Sequence, residues 1–216
     1  MNKELIKRIL TSIIITCLSF YCIFQGSYLY ILFILIILCV SFFEWYNLCS
    51  KNVSSTILII GISFLTLSFI SAYILRNDNL SYFLFTIIIS AFSDIGGFIF
   101  GKIFKGPKLT VISPNKTYSG SIGSFIFSIL SGYLYINFID LSLIDSLSIN
   151  FIEFLLIIIF LSTINQIGDL IISFYKRLNK IKDTGKILPG HGGLLDRIDG
   201  LIFTIPTSHV IYLILK

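Results

Sequence analysis

Long apolar runs separated by short polar breaks organise this chain. The runs cover 9–24, 28–43, 53–75, 80–101, 120–138, 150–174 and 198–215. A hydrocarbon core about 30 Å thick needs roughly 20 residues of helix to cross it. The pattern therefore predicts an all-α fold, a polytopic transmembrane helix bundle of about seven spans, with six to eight as the range because the first two runs are short. Two of the breaks, 102–119 and 175–197, hold most of the polar chemistry.

Composition sharpens this picture. Of 216 residues, 56% are hydrophobic and 12% charged, against about 25% charged in a soluble domain. The length suits one compact bundle, a single domain 1–216 whose motif-bearing part is about 90–204. The apolar run after Lys7-Arg8 has no small-x-small cleavage site, so a retained first span is expected. Cys17, Cys22, Cys39 and Cys49 include no Cys-x-x-Cys pair; they read as small apolar residues rather than metal ligands or disulfide partners.

Charge placement orients the bundle. With the N-terminus in the cytoplasm, 14 of the 16 Lys and Arg residues fall in cytoplasmic segments, leaving Arg76 and Lys216 outside. Such a bias follows the positive-inside rule and puts both motif-bearing loops on the cytoplasmic face. The net charge of +5 sits in loops between apolar spans. It therefore suits an anionic membrane surface or anionic substrate better than nucleic acid.

The densest chemistry lies in 168–199, where Asp169, Asp183, Asp196 and Asp199 share about thirty residues with Lys176, Arg177, Lys180, Lys182, Lys186 and Arg197. Polar groups at a membrane are costly and mark functional sites. On a helix, Ser173 and Lys176 follow Asp169 at i+4 and i+7 and share its face. Pro189-Gly190-His191-Gly192-Gly193 is expected as a tight turn feeding a helix N-terminus, where free N–H groups favour anions. Asp94, with Gly96 and Gly97 after it, precedes the lysine-rich loop that carries Ser113-Pro114-Asn115-Lys116-Thr117. It is expected to form the other wall of one polar site. Oxygen ligands with little sulfur or imidazole suit Mg²⁺, bound through one or two carboxylates plus substrate phosphates. Together these features point to phosphoryl or nucleotidyl transfer. Gly96 to Lys102 spells G-x-x-x-x-G-K, but Ile103 follows in place of Ser or Thr and no strand precedes. That segment reads as helix packing through Gly97 and Gly101, not as a P-loop.

The run Ser173-x-x-Lys176-Arg177-x-x-x-x-Lys182-Asp183-x-Gly185-x-x-x-Pro189-Gly190-His191-Gly192-Gly193-x-x-Asp196-Arg197-x-Asp199 closely resembles the signature of the phosphatidate cytidylyltransferase (CDP-diacylglycerol synthase) family. Ser113-Pro114-Asn115-Lys116-Thr117, with Gly120, is similar to that family's second motif. The resemblance implies CTP plus phosphatidic acid giving CDP-diacylglycerol and pyrophosphate, at a bacterial inner membrane. It implies Mg²⁺ held by Asp169 and Asp196, with Asp183 and Asp199 as further carboxylates and room for a second cation. On this mapping Lys176, Arg177, Lys182 and Arg197 hold phosphates, while His191, Gly190, Gly192 and Gly193 shape the phosphate turn. Ser113, Lys116 and Thr117 contact substrate from the other loop, with Asp94 and Ser173 lining the site. The chain departs from the family pattern at Asn115, Tyr118-Ser119 and Phe98. A small bundle leaves room for a homodimer.

The remaining polar residues read more plainly. Glu44 and Glu153, near span ends, are expected to be interfacial, and Trp45 with Tyr46 an interfacial anchor. His209 is expected as a hydrogen-bonded core histidine, and Asp196 alone could be an N-cap. Two other activities fit parts of the pattern: a CTP-dependent lipid or polyprenol kinase, and a small-solute transporter using Asp94 and Asp169.

Overall fold

The computed structural model describes residues 3–49, 54–110, 113, 116–140, 142–188 and 192–216, with side chains from Thr11 onward. Pro114, Asn115, Pro189, Gly190 and His191, all part of the expected motifs, lie outside the described residues.

Among the described residues, each of the seven apolar runs is carried for most of its length by one helix. These are α1 (Lys3–Gln25), α2 (Ser27–Cys49), α3 (Ser55–Asp78), α4 (Leu80–Phe104), α5 (Tyr118–Phe138), α7 (Phe151–Leu178) and α9 (Leu201–Leu215); α6 (Leu143–Ser146) and α8 (Leu195–Ile198) are single turns. Among the described residues there is no strand beyond two isolated bridges, so the all-α expectation holds. Five helices, α2, α3, α4, α5 and α7, are long and apolar enough to cross a membrane. The other two have shorter apolar stretches, Thr11–Gln25 in α1 and Leu201–Leu215 in α9. Lys3, Glu4, Lys7 and Arg8 occupy the first turns of α1. At 1.5 Å per residue α9 is only about 22 Å long. By the same rise, the 28 residues of α7 span about 42 Å.

The chain forms two compact units, one of Met1–Tyr73 with Tyr175–Ile198, the other of Ile74–Phe174 with Asp199–Lys216. In the first, Gly26 and Ser27 take positive φ (63° and 50°) and turn α1 into α2. Tyr30 donates to the Ala72 carbonyl at 3.1 Å. Trp45 is 5% exposed. Its ring lies over Gly61, its Nε1 donates to Leu58 O at 3.3 Å, and Tyr175 meets it edge-on at 5.2 Å. The interfacial reading of Trp45 is therefore corrected: the indole has a carbonyl to bond inside the unit and needs no headgroup water.

In the second unit α4 and α5 pack backbone to backbone. A Cβ on Gly120 would sit 2.9 Å from Gly97 O, one on Gly97 2.7 Å from Ser124 Oγ, and one on Gly123 2.7 Å from Gly96 O. Small residues let membrane helices approach this closely, as the reading of Gly97 and Gly101 anticipated. Buried hydroxyls bind the other helices: Thr86 to Ser208 at 2.6 Å and Ser93 to Ser162 at 2.9 Å. His209 is buried, as expected of a core residue, but its Nε2 has no hydrogen-bond partner. After α5, Asp140 accepts from Ser81 Oγ at 2.5 Å and from both Ser142 N and Oγ. These donors, the Ser81 hydroxyl first, hold its carboxyl below the usual carboxylate range.

Candidate active site

The sequence-predicted site residues fall into two clusters, one in each unit. In the unit containing α4, α5 and α9, Asp169 sits on α7 nine residues before its C-terminal end. Its Oδ2 pairs with Lys116 Nζ at 2.6 Å; the two side chains are 32% and 23% exposed. Its Oδ1 accepts a long bond from Ser173 Oγ at 3.3 Å. Lys116 Nζ also reaches Gln166 O at 3.4 Å, and Gln166 Oε1 accepts from Ser121 at 2.6 Å. Lys116 is aimed by its loop: Leu109 N bonds Lys116 O at 2.8 Å and Lys116 N bonds Ser113 O at 3.0 Å. A bridge joins Lys108 and Thr117. Thr117 Oγ1 caps α5, accepting from Gly120 N at 3.1 Å, so its hydroxyl already has a structural task. Asp94 is exposed and accepts from Asn165 Nδ2 at 2.7 Å. Asp199 Oδ1 accepts from Gly200 N at 3.0 Å. Gly168 lets this segment approach α7, since a Cβ there would lie 2.9 Å from Asp199 O.

The second cluster, in the unit containing α1, α2 and α8, is tighter. Lys176 Nζ meets Asp196 Oδ1 at 2.8 Å, and both side chains are nearly sealed, 11% and 6% exposed. Asp196 Oδ2 accepts from Thr184 N at 2.8 Å and Gly193 N at 3.1 Å. The bond to Gly193 reaches back three residues, as the last residue of a capping box does. Leu188 and Gly192 exchange backbone bonds of 2.9 and 3.2 Å, closing the neck of the loop. Gly192 has φ +88°, and a Cβ on it would press on Asp183 at 3.1 Å. Arg177, Lys182, Asp183 and Arg197 are exposed; Arg177 Nη1 reaches Ile181 O at 3.4 Å.

The largest departure from expectation is Glu44. It is 1% exposed, not interfacial. Oε1 accepts from Leu194 N at 2.9 Å, and Oε2 from Leu195 N at 2.7 Å and Thr184 Oγ1 at 3.0 Å. The N–H groups at the start of α8, expected to be free for anions, are thus turned onto two of the protein's own carboxylates. Glu44 gives no sequence signal, because its donors are mostly backbone N–H groups more than a hundred residues away.

Among the described residues no three His, Cys, Asp or Glu side chains come together as a metal cage. The donor chemistry still suits Mg²⁺, which is held by one or two carboxylates with substrate phosphates completing the shell. Asp169 fits that role, being open and carrying one long hydrogen bond on Oδ1. Asp196 has three donors on its two oxygens and so keeps little free acceptor capacity.

Comparison with known proteins covers the segment that carries these residues. A family model described as "Cytidylyltransferase family" matches residues 50–215. The chain is 36% identical over 171 residues to a protein of Staphylococcus haemolyticus (strain JCSC1435), covering 77% of this chain and 64% of the relative. It is 34% identical over the same length and shares to one of Staphylococcus aureus (strain COL). Both relatives bear the name phosphatidate cytidylyltransferase. The chain thus spans somewhat less than two thirds of their length.

Proposed function

Because this chain belongs to the cytidylyltransferase family, we propose that it transfers the cytidylyl group of CTP to phosphatidic acid, giving CDP-diacylglycerol and pyrophosphate. The observation that carries this reading is the accessible Lys116–Asp169 pair, set beside the signature from Ser173 to Asp199 in a helical membrane protein. A phosphate-monoester oxygen attacks the α-phosphorus of CTP; the α–β bridging bond breaks and pyrophosphate leaves. The nucleophile is already anionic, so no strong general base is needed. The task is to bring two polyanions together and neutralise the leaving group, which is positioning and electrostatics. Lys116 exchanges Asp169 for a substrate phosphate. Exposed Lys182, Arg177 and Arg197 hold the nucleotide's phosphates. Asp169 would hold Mg²⁺, and the ion would supply charge neutralisation at the phosphates; the oxygens of Asp196, the other ligand that the resemblance implies, are already taken by Lys176 Nζ, Thr184 N and Gly193 N.

The protein works in a bacterial plasma membrane with its motif loops toward the cytoplasm, where CTP is available; the distribution of Lys and Arg supports that orientation. The test is pyrophosphate release by detergent-purified protein given CTP, Mg²⁺ and phosphatidic acid. Release that needs lipid and metal, and is lost in Asp169→Asn, supports the reading. CDP as product would make the protein a lipid kinase, and folded protein with no nucleotide turnover would overturn the reading in favour of transport.

A further inference from the structure

Glu44 lies outside every motif, yet its carboxylate is among the most thoroughly bonded in the described structure. Three donors converge on it from both limbs of one loop: Thr184 Oγ1 from the first limb, Leu194 N and Leu195 N from the second. Asp196 clamps the same limbs from the other direction, through Thr184 N and Gly193 N. Thr184 therefore serves both carboxylates at once. The glycines of the signature fit around Glu44. A Cβ on Gly193 would fall 2.7 Å from Glu44 Oε2, and one on Gly185 would collide with Oε1. These two glycines are explained by close approach to a buried anion, which no phosphate contact is needed to account for. A buried charge left unbonded is costly, whereas one held by several N–H and O–H donors is stable.

We infer that Glu44 is a positioning residue for the reaction: an internal anion that fixes the two limbs and with them the cations they carry, Lys182 on one side and Arg197 on the other. The inference rests on the function proposed above for what those cations bind. Lys182 stands two residues before Thr184 and Arg197 two residues after Leu195, so a loosened clamp blurs where the cations stand. Nucleotide binding suffers before the chemical step does.

The experiment compares wild type with Glu44→Gln, and with Glu153→Gln as a control for loss of an unrelated carboxylate. Glu44→Gln keeps the size of the side chain but turns one acceptor into a donor facing other donors. Losing hydrogen bonds to a charged group of this kind is worth roughly tenfold or more in affinity. The expected result is a KM for CTP raised by about that factor with kcat little changed, together with faster amide exchange at Gly193, Leu194 and Leu195. Thr184→Val removes one donor to Glu44, and its effect on KM should be less than multiplicative with that of Glu44→Gln. A Glu44→Gln protein that melts earlier but keeps the wild-type KM and wild-type exchange in these amides would make Glu44 a stability residue only and overturn the inference. If wild type itself releases no pyrophosphate, the functional reading fails separately. The exchange comparison then decides the clamp alone: faster exchange in Glu44→Gln upholds it, and unchanged exchange overturns it.

Discussion

Two lysine–aspartate pairs of nearly equal length do opposite things in this molecule. Lys116–Asp169 (2.6 Å) is open, and Asp169 adds one long bond from Ser173. Lys176–Asp196 (2.8 Å) is sealed, and Asp196 also holds two backbone N–H groups. Distance alone does not distinguish them; the number of further donors and the access to solvent do. An open pair can trade its partner for an incoming phosphate or cation at little cost, because exposed ion pairs contribute at most about 1 kcal/mol. A sealed pair that loses one member leaves a buried charge behind. The first pair is suited to chemistry and the second to holding a loop in shape.

That contrast predicts an ordered set of outcomes. Asp196→Ala should have the largest effect, costing about 3–5 kcal/mol of stability by stranding Lys176. Denaturant unfolding in detergent measures it, and a loss under about 1 kcal/mol would erase the distinction between the pairs. Asp169→Asn should do the reverse, lowering pyrophosphate release by roughly 100-fold while the unfolding midpoint stays close to wild type. Coupled loss of stability and activity in that variant would make the open pair structural too. Gly96→Val, away from both pairs, should cost about 1–3 kcal/mol by overpacking, since the new side chain runs into Gly123 O; activity per folded molecule should hold.

The smallest effect concerns Asp140. Its carboxyl is held below the ordinary value chiefly by the Ser81 hydroxyl, then by Ser142. A depressed folded pKa adds stability that is present above the unfolded value, about 3.9, and is lost as pH falls through the lower folded value. Ser81→Ala should shrink that acid-side slope, measured by melting between pH 5 and about pH 3, and leave neutral-pH turnover unchanged.

Both members of the open pair stood out in the sequence, an aspartate inside an apolar run and a lysine in a motif loop, but their pairing with each other did not. The sealed cluster was only half readable. Asp196 and the glycines stood out, but the sequence suggested free N–H groups where the fold has filled them. Glu44 and Trp45 were misread together for one physical reason. Near a span end, both residue types are stable at a membrane surface, and only tertiary partners, Leu194 N and Leu195 N for one and Leu58 O for the other, draw them inward. Those partners are main-chain groups, identical at every position and silent in a sequence.

The length of α7 sets a depth gauge for the proposed reaction. At about 42 Å against a hydrocarbon core of about 30 Å, an upright α7 overshoots by roughly two turns. An overshoot at its C-terminal end carries Ser173 into headgroup territory and leaves Asp169 near the boundary. On the proposed reaction, a lipid phosphate would then meet the open pair at its resting height in the leaflet, with no need to rise from the bilayer. Turnover should accordingly depend on bilayer thickness, falling in long-chain vesicles that draw this end of the helix below the phosphate plane.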